Sequence, residues 1–199
     1  MAQINLYYRT QLESKVSLLP EQIDADIDTH LLNNLKAKIE GKTNDHGIVL
    51  KIVRLIDYGY GIIEKINFMT TTVYEVKYEC FICSPTKNLE IICILQSIIK
   101  GYLIAKNGPV IIAVESNNFD TQKFKMENGE LLYKDGTKIK KGDYLKVSII
   151  NIKNNLGERK ITTVCKLLNK ASDEEIRLFE NDQRLIADEN DDIDEKEFI

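Results

Sequence analysis

Basic and aromatic side chains come together around the segment GYLIAKNGPVIIAV, residues 101–114. Lys100 stands directly before it, and Tyr102 and Lys106 lie on the first of two apolar runs, which an Asn-Gly turn joins into a predicted hairpin. Lysine ammonium groups bind phosphates and a tyrosine ring stacks on a base, so the three residues could hold single-stranded nucleic acid. The open alternative is that the lysines only keep an edge strand soluble.

Three more basic residues in the second half of the chain could make the same contacts. Lys123 lies in a polar stretch, Lys146 is expected to face outward on a strand, and Arg159 precedes the last apolar run. Besides the hairpin tyrosine, only Phe119 and Phe124 are candidates for exposed stacking rings on this surface. We therefore expect any binding of nucleic acid to be weak and steeply dependent on salt.

The net charge of −4 hides an uneven distribution of basic and acidic side chains. Residues 1–85 carry 9 basic and 11 acidic side chains, residues 86–169 carry 14 and 8, and residues 170–199 carry 4 and 12. The net charges of the three segments are therefore −2, +6 and −8. A basic middle segment indicates a surface for a polyanion, and the acidic end indicates a solvated tail or a docking segment. Lysines that only solubilise a β-rich domain would give the same composition.

The first half of the chain predicts a strand, a helix and three further strands. Residues 5–20 alternate loosely and stop at Pro20, and a helix follows whose apolar residues recur every fourth position. Its stripe comprises Ile23, Ile27, Leu31, Leu35 and Ile39, with Leu32 beside it. The later strands are expected at 47–56, 62–69 and 72–85, with the turn DYGYG between the first two. We expect residues 1–85 to form one compact domain that combines a helix with strands.

The second half, residues 86–170, has the pattern of a small β-barrel. Five apolar runs are separated by turns, with one long polar connection, residues 115–143, between the third run and the fourth. This arrangement predicts a closed five-stranded barrel of the OB type, a fold that binds nucleic acid on its strand face and loops. Residues 171–199 are expected to form a short helix, which opens with a capping box at Ser172 and Glu175, and then an acidic tail. The apolar side of this helix would comprise Ile176, Phe179 and Ile186.

Residues with catalytic or metal-binding potential are sparse. Cys80 and Cys83 have the spacing of half a zinc site, but residues three apart on a strand face opposite sides and no second pair follows. The aspartates at the start of the first helix lack the glycine and the glutamate of a calcium loop. Because the chain also has no glycine-rich phosphate loop and no nucleophile motif, we expect no enzyme, no metal and no cofactor.

The cysteines and the apolar runs indicate the cellular compartment of the protein. All four cysteines lie on apolar, β-branched runs, which indicates reduced, buried thiols in an intracellular protein. No run reaches the roughly eighteen apolar residues of a membrane helix, and the N-terminus lacks a signal pattern. We therefore expect no association with a membrane.

A series of segments carries a resemblance to a known family. In chain order they are the helix that ends in EGK, the strand GIVLKIV, VKY, Pro85, GYLIAKNGP and IKKGDYLKVSI. The series covers about residues 6–170 and resembles the seventh subunit of eukaryotic RNA polymerase II and its archaeal counterpart. No single motif is diagnostic, so the resemblance lies in the order of the series. The family usually has a glycine in its first barrel strand where this chain has Cys93, so the local backbone bend is expected to differ.

The resemblance implies both a fold and a function. Members of the family pair an N-terminal tip domain of ribonucleoprotein-like topology with a C-terminal OB domain, bind a small helical partner subunit and form the polymerase stalk beside the RNA exit. The chain would then be a non-catalytic subunit that docks on the polymerase core with its N-terminal domain and contacts nascent single-stranded RNA with its barrel. The expected docking residues lie at strand ends and are Asp57, Tyr58, Gly59, Tyr60, Met69 and Thr70.

The barrel alone allows an alternative, a standalone OB-fold RNA-binding protein such as a translation or RNA-processing factor. Such a protein has no need of a further domain of net charge −2 at residues 1–85, whereas a polymerase stalk needs a docking base. The abundance of Ile, Lys and Asn is typical of an AT-rich genome. The expected location is the nucleus for a cellular subunit, and the viral factory in the host cytoplasm or the virion for one from a large DNA virus.

Overall fold

The computed structural model describes residues 5–63, 71–99, 101–120, 122–127, 130–134 and 136–191. This part of the chain combines two helices with mostly antiparallel strands, which confirms the α+β class. The buried apolar residues form two clusters, one in the N-terminal half and one inside a barrel.

A twisted antiparallel sheet with one covering helix makes up the N-terminal half. Its elements are β1 (Tyr7–Leu18), α1 (Ile27–Ile39), β2 (Thr43–Asn44), β3 (Gly47–Tyr58), β4 (Ile62–Ile63) and β5 (Thr72–Cys83). The strand order is β1-β5-β3-β2, with β4 beside β5, and α1 packs on β1 and β3. The ribonucleoprotein-like topology that the resemblance implies stays a prediction.

The helix begins four residues later than its apolar stripe suggests. Leu31 and Leu35 are fully buried against the sheet, as the stripe predicts. Ile23, however, lies before α1 and is 43% exposed, so its assignment to the stripe is wrong. The carboxylate Oδ1 of Asp24 accepts a hydrogen bond from the backbone N–H of Asp26 at 2.9 Å, and this local turn competes with the helix.

Strand β3 extends beyond its predicted end. Asp57 and Tyr58, expected in a turn, are its last two residues, so the turn is shortened to Gly59–Gly61. Pairing with β5 continues through them, because Asp57 lies opposite Lys77 and Tyr58 opposite Val76. Of the strand predicted at 62–69, β4 is the part that falls within the described residues.

The C-terminal half is a closed barrel followed by a helix. The elements are β6 (Glu90–Ile99), β7 (Tyr102–Asn107), β8 (Val110–Glu115), β9 (Phe124–Glu127), β10 (Glu130–Tyr133), β11 (Tyr144–Lys153), β12 (Ile161–Lys170) and α2 (Asp173–Asp191). The barrel closes in the order β6-β7-β8-β12-β11, and β8 and β12 run parallel while the other neighbours are antiparallel. Alternate residues face an apolar interior, which is the arrangement of an OB-like barrel.

The connection between β8 and β11 is more than a polar loop. It contains the hairpin β9–β10, which the sequence interpretation missed, and it buries Leu131 and Ile139 in the barrel cluster. Phe119 and Phe124 were expected as exposed stacking rings, and this is wrong, because they are 8% and 4% exposed. The physical reason is that the open end of a small barrel needs an apolar cover, and these rings supply it.

The two halves share packing and backbone hydrogen bonds. Leu6, Ile48 and Cys83 come from the N-terminal half but belong to the barrel cluster. The backbone N–H of Thr43 donates to the carbonyl oxygen of Glu158 at 2.8 Å, in the loop between β11 and β12. The barrel is therefore anchored to the sheet at its core and at this loop.

Candidate nucleic-acid interface

The outer face of β7, β8 and β12 carries an apolar centre with polar and basic margins. Its strands alternate between the barrel interior and solvent, so Tyr102 and Lys106 both point outward on β7. Tyr102 lies opposite Glu115 and Lys106 opposite Ile111 on β8. We call this surface the β7–β8–β12 face.

Three of the sequence candidates border the β7–β8–β12 face. Tyr102 is 48% exposed, and its hydroxyl lies 3.5 Å from Oε1 of Glu115. Lys106 is exposed four residues further along the same strand, about 13 Å away. Lys123 is also exposed, and its ammonium donates a hydrogen bond to the carbonyl oxygen of Leu168 on β12 at 3.3 Å. Lys100 lies outside the described residues.

Arg159 lies in the loop of residues 154–160, at the end of the barrel that carries the β7–β8 turn. The loop is held beside the β7–β8 turn, since the N–H of Ile161 donates to the carbonyl oxygen of Pro109 at 3.2 Å. Arg159 is exposed and shares this end of the barrel with Lys106. The structure therefore places Lys106 and Arg159 near one end of the face and Tyr102 near the other.

Lys146 is engaged by two carboxylates. Its ammonium lies 2.9 Å from Oε2 of Glu90 and 2.9 Å from Oε1 of Glu175, and its side chain is 29% exposed. The hydrogen bonds to Glu90 and Glu175 raise the pKa of Lys146. Its charge is thus already compensated, and it lies on the β6–β11 side of the barrel.

The sequence interpretation missed one basic residue of this surface. Thr162, Val164 and Lys166 are exposed at alternate positions of β12, and Val164 lies beside Ala113 of β8. Lys166 therefore points outward from the same face as Lys106. The alternation in ITTVCKLL is the signal that could have identified it.

The turn of the β7–β8 hairpin consists of Gly108 and Pro109, so the predicted Asn-Gly turn is wrong, because Asn107 still pairs with Val110 at the end of β7. Asn107 is 4% exposed; its Oδ1 accepts a hydrogen bond from the hydroxyl of Tyr7 at 2.7 Å, and its Nδ2 donates to the carbonyl oxygen of Ile92 at 2.8 Å. Burial raises the pKa of Tyr7, so its hydroxyl stays a proton donor. Gly108 has φ +52°, and a Cβ there would lie 2.3 Å from the Tyr7 hydroxyl oxygen. The turn therefore ties the barrel to β1.

A second candidate surface lies at the far end of the N-terminal sheet. Tyr60 is 97% exposed, and Ile62 and Ile63 on β4 are 63% and 65% exposed. We call these three residues the tip patch. Single exposed apolar residues are ordinary, but a group at one strand end indicates a contact surface.

The four described docking candidates lead into the tip patch. The ring of Tyr58 packs edge-on against Tyr74, with 6.1 Å between centroids, and a hydrogen bond to Asp28 raises the pKa of Tyr58. Gly59 donates its N–H to the carbonyl oxygen of Glu75 at 2.9 Å. Asp57 and Tyr58 are thus held in the sheet, and Tyr60 projects beyond them. Met69 and Thr70 lie outside the described residues.

The open face of the N-terminal sheet carries charges that pair with one another. Nζ of Lys15 lies 3.7 Å from Oε1 of Glu75, and Nε of Arg54 lies 2.7 Å from Oε2 of Glu79. Such mutual pairing leaves little net field for attracting a polyanion. Among the described surfaces, the barrel is the better candidate for nucleic acid.

The cysteines are free and buried, as predicted. Burial raises the pKa of Cys80 and of Cys165 to about 11, so their thiols are protonated at neutral pH. Among the residues that the structure describes, no group of three or more His, Cys, Asp or Glu side chains could hold a metal ion. No helix in the described ranges is long and apolar enough to cross a membrane.

Comparison with known proteins finds two relatives. The chain is 57% identical, over an alignment of 201 positions that covers the full length of both chains, to a protein of Acanthamoeba polyphaga mimivirus that is provisionally named DNA-directed RNA polymerase subunit L376. It is 26% identical over 151 residues to DNA-directed RNA polymerase II subunit RPB7 of Glycine max, and the match covers 73% of this chain and 84% of the relative. No family model matches the chain.

Proposed function

Because the chain belongs to the family of DNA-directed RNA polymerase subunits related to RPB7, we propose that it is a non-catalytic stalk subunit that docks on the polymerase core and contacts nascent RNA. In this proposal residues 1–85 dock, residues 86–170 contact RNA, and residues 171–199 form a helix and an acidic tail. A small helical subunit is the expected stalk partner. The identity to a mimivirus protein favours a viral transcription machine, in the viral factory or the virion, over a cellular nucleus.

The exposed tip patch is the observation that carries the docking half of the proposal. Its three apolar side chains would be buried against the core, and burial of each large apolar side chain contributes about 1.5–3 kcal/mol. The patch lies at the free end of the sheet, beside the shortened turn Gly59–Gly61. A standalone RNA-binding protein would have no use for such a patch.

The β7–β8–β12 face supports the RNA half of the proposal. Lys106 and Lys166 can contact phosphates, and Tyr102 can stack on a base. Ile104 and Val164 provide an apolar floor between them. The face offers one exposed aromatic ring among the described residues, so the expected affinity is modest and depends mainly on charge.

Charge reversal on the face is expected to weaken RNA binding. Replacing Lys106 and Lys166 with glutamate should lower the affinity for single-stranded RNA by about tenfold or more at low salt. Each lost phosphate contact should also flatten the slope of log K against log salt by about 0.7. Fluorescence anisotropy with a labelled oligonucleotide across a salt series measures both quantities.

Lys15 provides a matched control, because it is a β1 lysine paired with Glu75 on the N-terminal sheet. Lys15→Glu introduces the same charge reversal away from the barrel and should leave the salt slope unchanged. If this control weakens binding as much as each barrel substitution does, RNA contact is not localised to the β7–β8–β12 face. If the double variant binds like the wild type, the lysines only solubilise the barrel.

A further inference from the structure

The start of α2 is fixed to the barrel. The backbone N–H of Ala171 donates to the carbonyl oxygen of Tyr144 at 3.1 Å. The predicted capping box is present: the N–H of Ser172 donates to Oε2 of Glu175 at 2.9 Å, and the N–H of Glu175 donates to Oγ of Ser172 at 3.3 Å. The helix therefore leaves β12 in a defined direction, across the β6–β11 side of the barrel.

An aromatic contact holds the middle of the helix. Phe179 is 7% exposed and packs edge-on against the ring of Tyr144, with 5.8 Å between centroids. The hydroxyl of Tyr144 donates to Oε1 of Glu180 at 3.0 Å, and this hydrogen bond raises the pKa of Tyr144. The sequence-predicted apolar side of the helix is confirmed at Phe179. Ile186 lies in the helix, but its side chain is outside the described part.

Glu175 of the helix also binds Lys146 of the barrel. The carboxylate approaches the ammonium at 2.9 Å, and Glu90 approaches it from the other side. The backbone N–H of Ser172 and the ammonium of Lys146 lower the pKa of Glu175, so the carboxylate is charged at neutral pH. Two carboxylates thus occupy the positions from which phosphate oxygens would bind Lys146.

The helix continues to the junction between the halves. Nε2 of Gln183 donates to Oδ1 of Asn107 at 3.2 Å, the same oxygen that accepts the hydroxyl of Tyr7. The side-chain amide of Asn107 therefore connects α2, the barrel and β1. The helix does not fill the space beneath it, since a cavity of about 420 Å³ remains between it, β1 and β6. It is held mainly by Phe179 and a few polar contacts, so few substitutions should release it.

We propose that α2 is an acidic strap that closes the β6–β11 side of the barrel to RNA. The strap neutralises Lys146, and its exposed Asp182 adds negative charge on that side. Nascent RNA is thereby confined to the β7–β8–β12 face, where Lys106 and Lys166 stay exposed. This inference rests on the proposed RNA contact and adds which side of the barrel can make it.

A pair of matched double variants tests the strap. Glu175→Gln with Phe179→Ser removes both kinds of contact, and glutamine still serves a capping box. Glu174→Gln with Leu178→Ser makes comparable changes at two exposed positions of the same helix, where Leu178 is 66% exposed at the margin of the cavity. Both variants are full-length proteins, and circular dichroism checks that each keeps its barrel.

Lysine acetylation read by mass spectrometry gives a result that does not depend on RNA. In the wild type and the control variant, Lys146 should react about tenfold more slowly than Lys166, because two carboxylates bind its ammonium and disfavour the neutral amine that reacts. In the release variant only Glu90 still binds Lys146, so the difference between the two rates should shrink. An unchanged ratio would overturn the strap, because Lys146 would not depend on the helix for its protection.

Photo-cross-linking of single-stranded RNA gives the second result. Cross-links should map to β7 and β12 in the wild type and the control, and should appear at residues 144–148 only in the release variant. Cross-links to Lys146 in the wild type would overturn the strap. If no variant binds RNA, the proposed RNA contact fails, and the acetylation ratio still determines whether α2 shields Lys146.

Discussion

Replacing Tyr60, Ile62 and Ile63 with serine is expected to abolish binding of the subunit to the polymerase core. Truncating a hot-spot residue of an interface costs about 2 kcal/mol or more, so the loss of three such anchors should weaken binding by about a thousandfold or more. The side chains are 97%, 63% and 65% exposed, so the free protein loses little packing. Its thermal midpoint should stay within about 2 °C of the wild type.

The matched control removes one tyrosine and two aliphatic side chains elsewhere on the surface. Tyr8, Leu156 and Leu178 are 41%, 70% and 66% exposed, and none lies at the tip. The serine variant of these three should bind the core like the wild type in a pull-down with purified core enzyme. Equal binding by the tip variant, or equal loss by the control, would contradict docking through the tip patch.

Point substitutions suit this test better than truncation does. Leu6, Ile48 and Cys83 pack in the barrel cluster, although they precede the predicted boundary at residue 85. A fragment that begins at residue 86 would lose these side chains and expose the barrel interior. Failure of such a fragment to bind would therefore report unfolding as readily as loss of the tip.

Gly47→Ala is expected to destabilise the fold strongly, because Gly47 is buried at the start of β3. Gly47 has φ +138°, and a Cβ there would lie 2.3 Å from the carbonyl oxygen of Cys83. The carbonyl oxygen belongs to the backbone of β5, and Cys83 is itself buried. Neither strand can therefore shift without a loss of packing. Backbone strain and displacement together should cost about 3 kcal/mol or more. For a chain of this size the thermal midpoint should fall by about 6–12 °C.

Gly142→Ala separates the clash from the backbone conformation. Gly142 also has a positive φ, +95°, but a Cβ there would meet nothing within 4 Å. This variant should therefore show the cost of a positive φ without a clash, about 1–2 kcal/mol. Denaturant unfolding of both variants measures the difference. A Gly47 variant no less stable than the Gly142 variant would mean that β3 and β5 are not closely apposed there.

The barrel was predictable from the sequence because its signals are local. Each strand alternates in period two, and the β7–β8 hairpin forms between the two predicted apolar runs. The capping box at Ser172 and Glu175 is a local signal as well, and the structure contains it. These features depend on residues a few positions apart.

The errors arise where distant residues decide the outcome. The sequence around Phe124 predicts an exposed ring in a polar loop, but the loop folds over the barrel and buries the ring. The strand pattern predicts that Lys146 is exposed, but in the structure it pairs with Glu175, which is 29 positions away along the chain. No local pattern encodes that pairing, because it depends on the direction in which α2 leaves β12. Lys166 was not among the predicted RNA-binding residues, although the alternation along β12 indicates that it faces outward.

Recovery of the polymerase with the tagged full-length protein tests the central claim most directly. The protein would be purified from cells in which its own transcription machinery is assembled, and the co-purifying chains would be quantified by mass spectrometry. The account predicts the two largest polymerase subunits in about equal amount with the tagged chain, and their loss with the serine variant of Tyr60, Ile62 and Ile63. Recovery of the chain with ribosomes or RNA-processing factors, and without the large polymerase subunits, would contradict it.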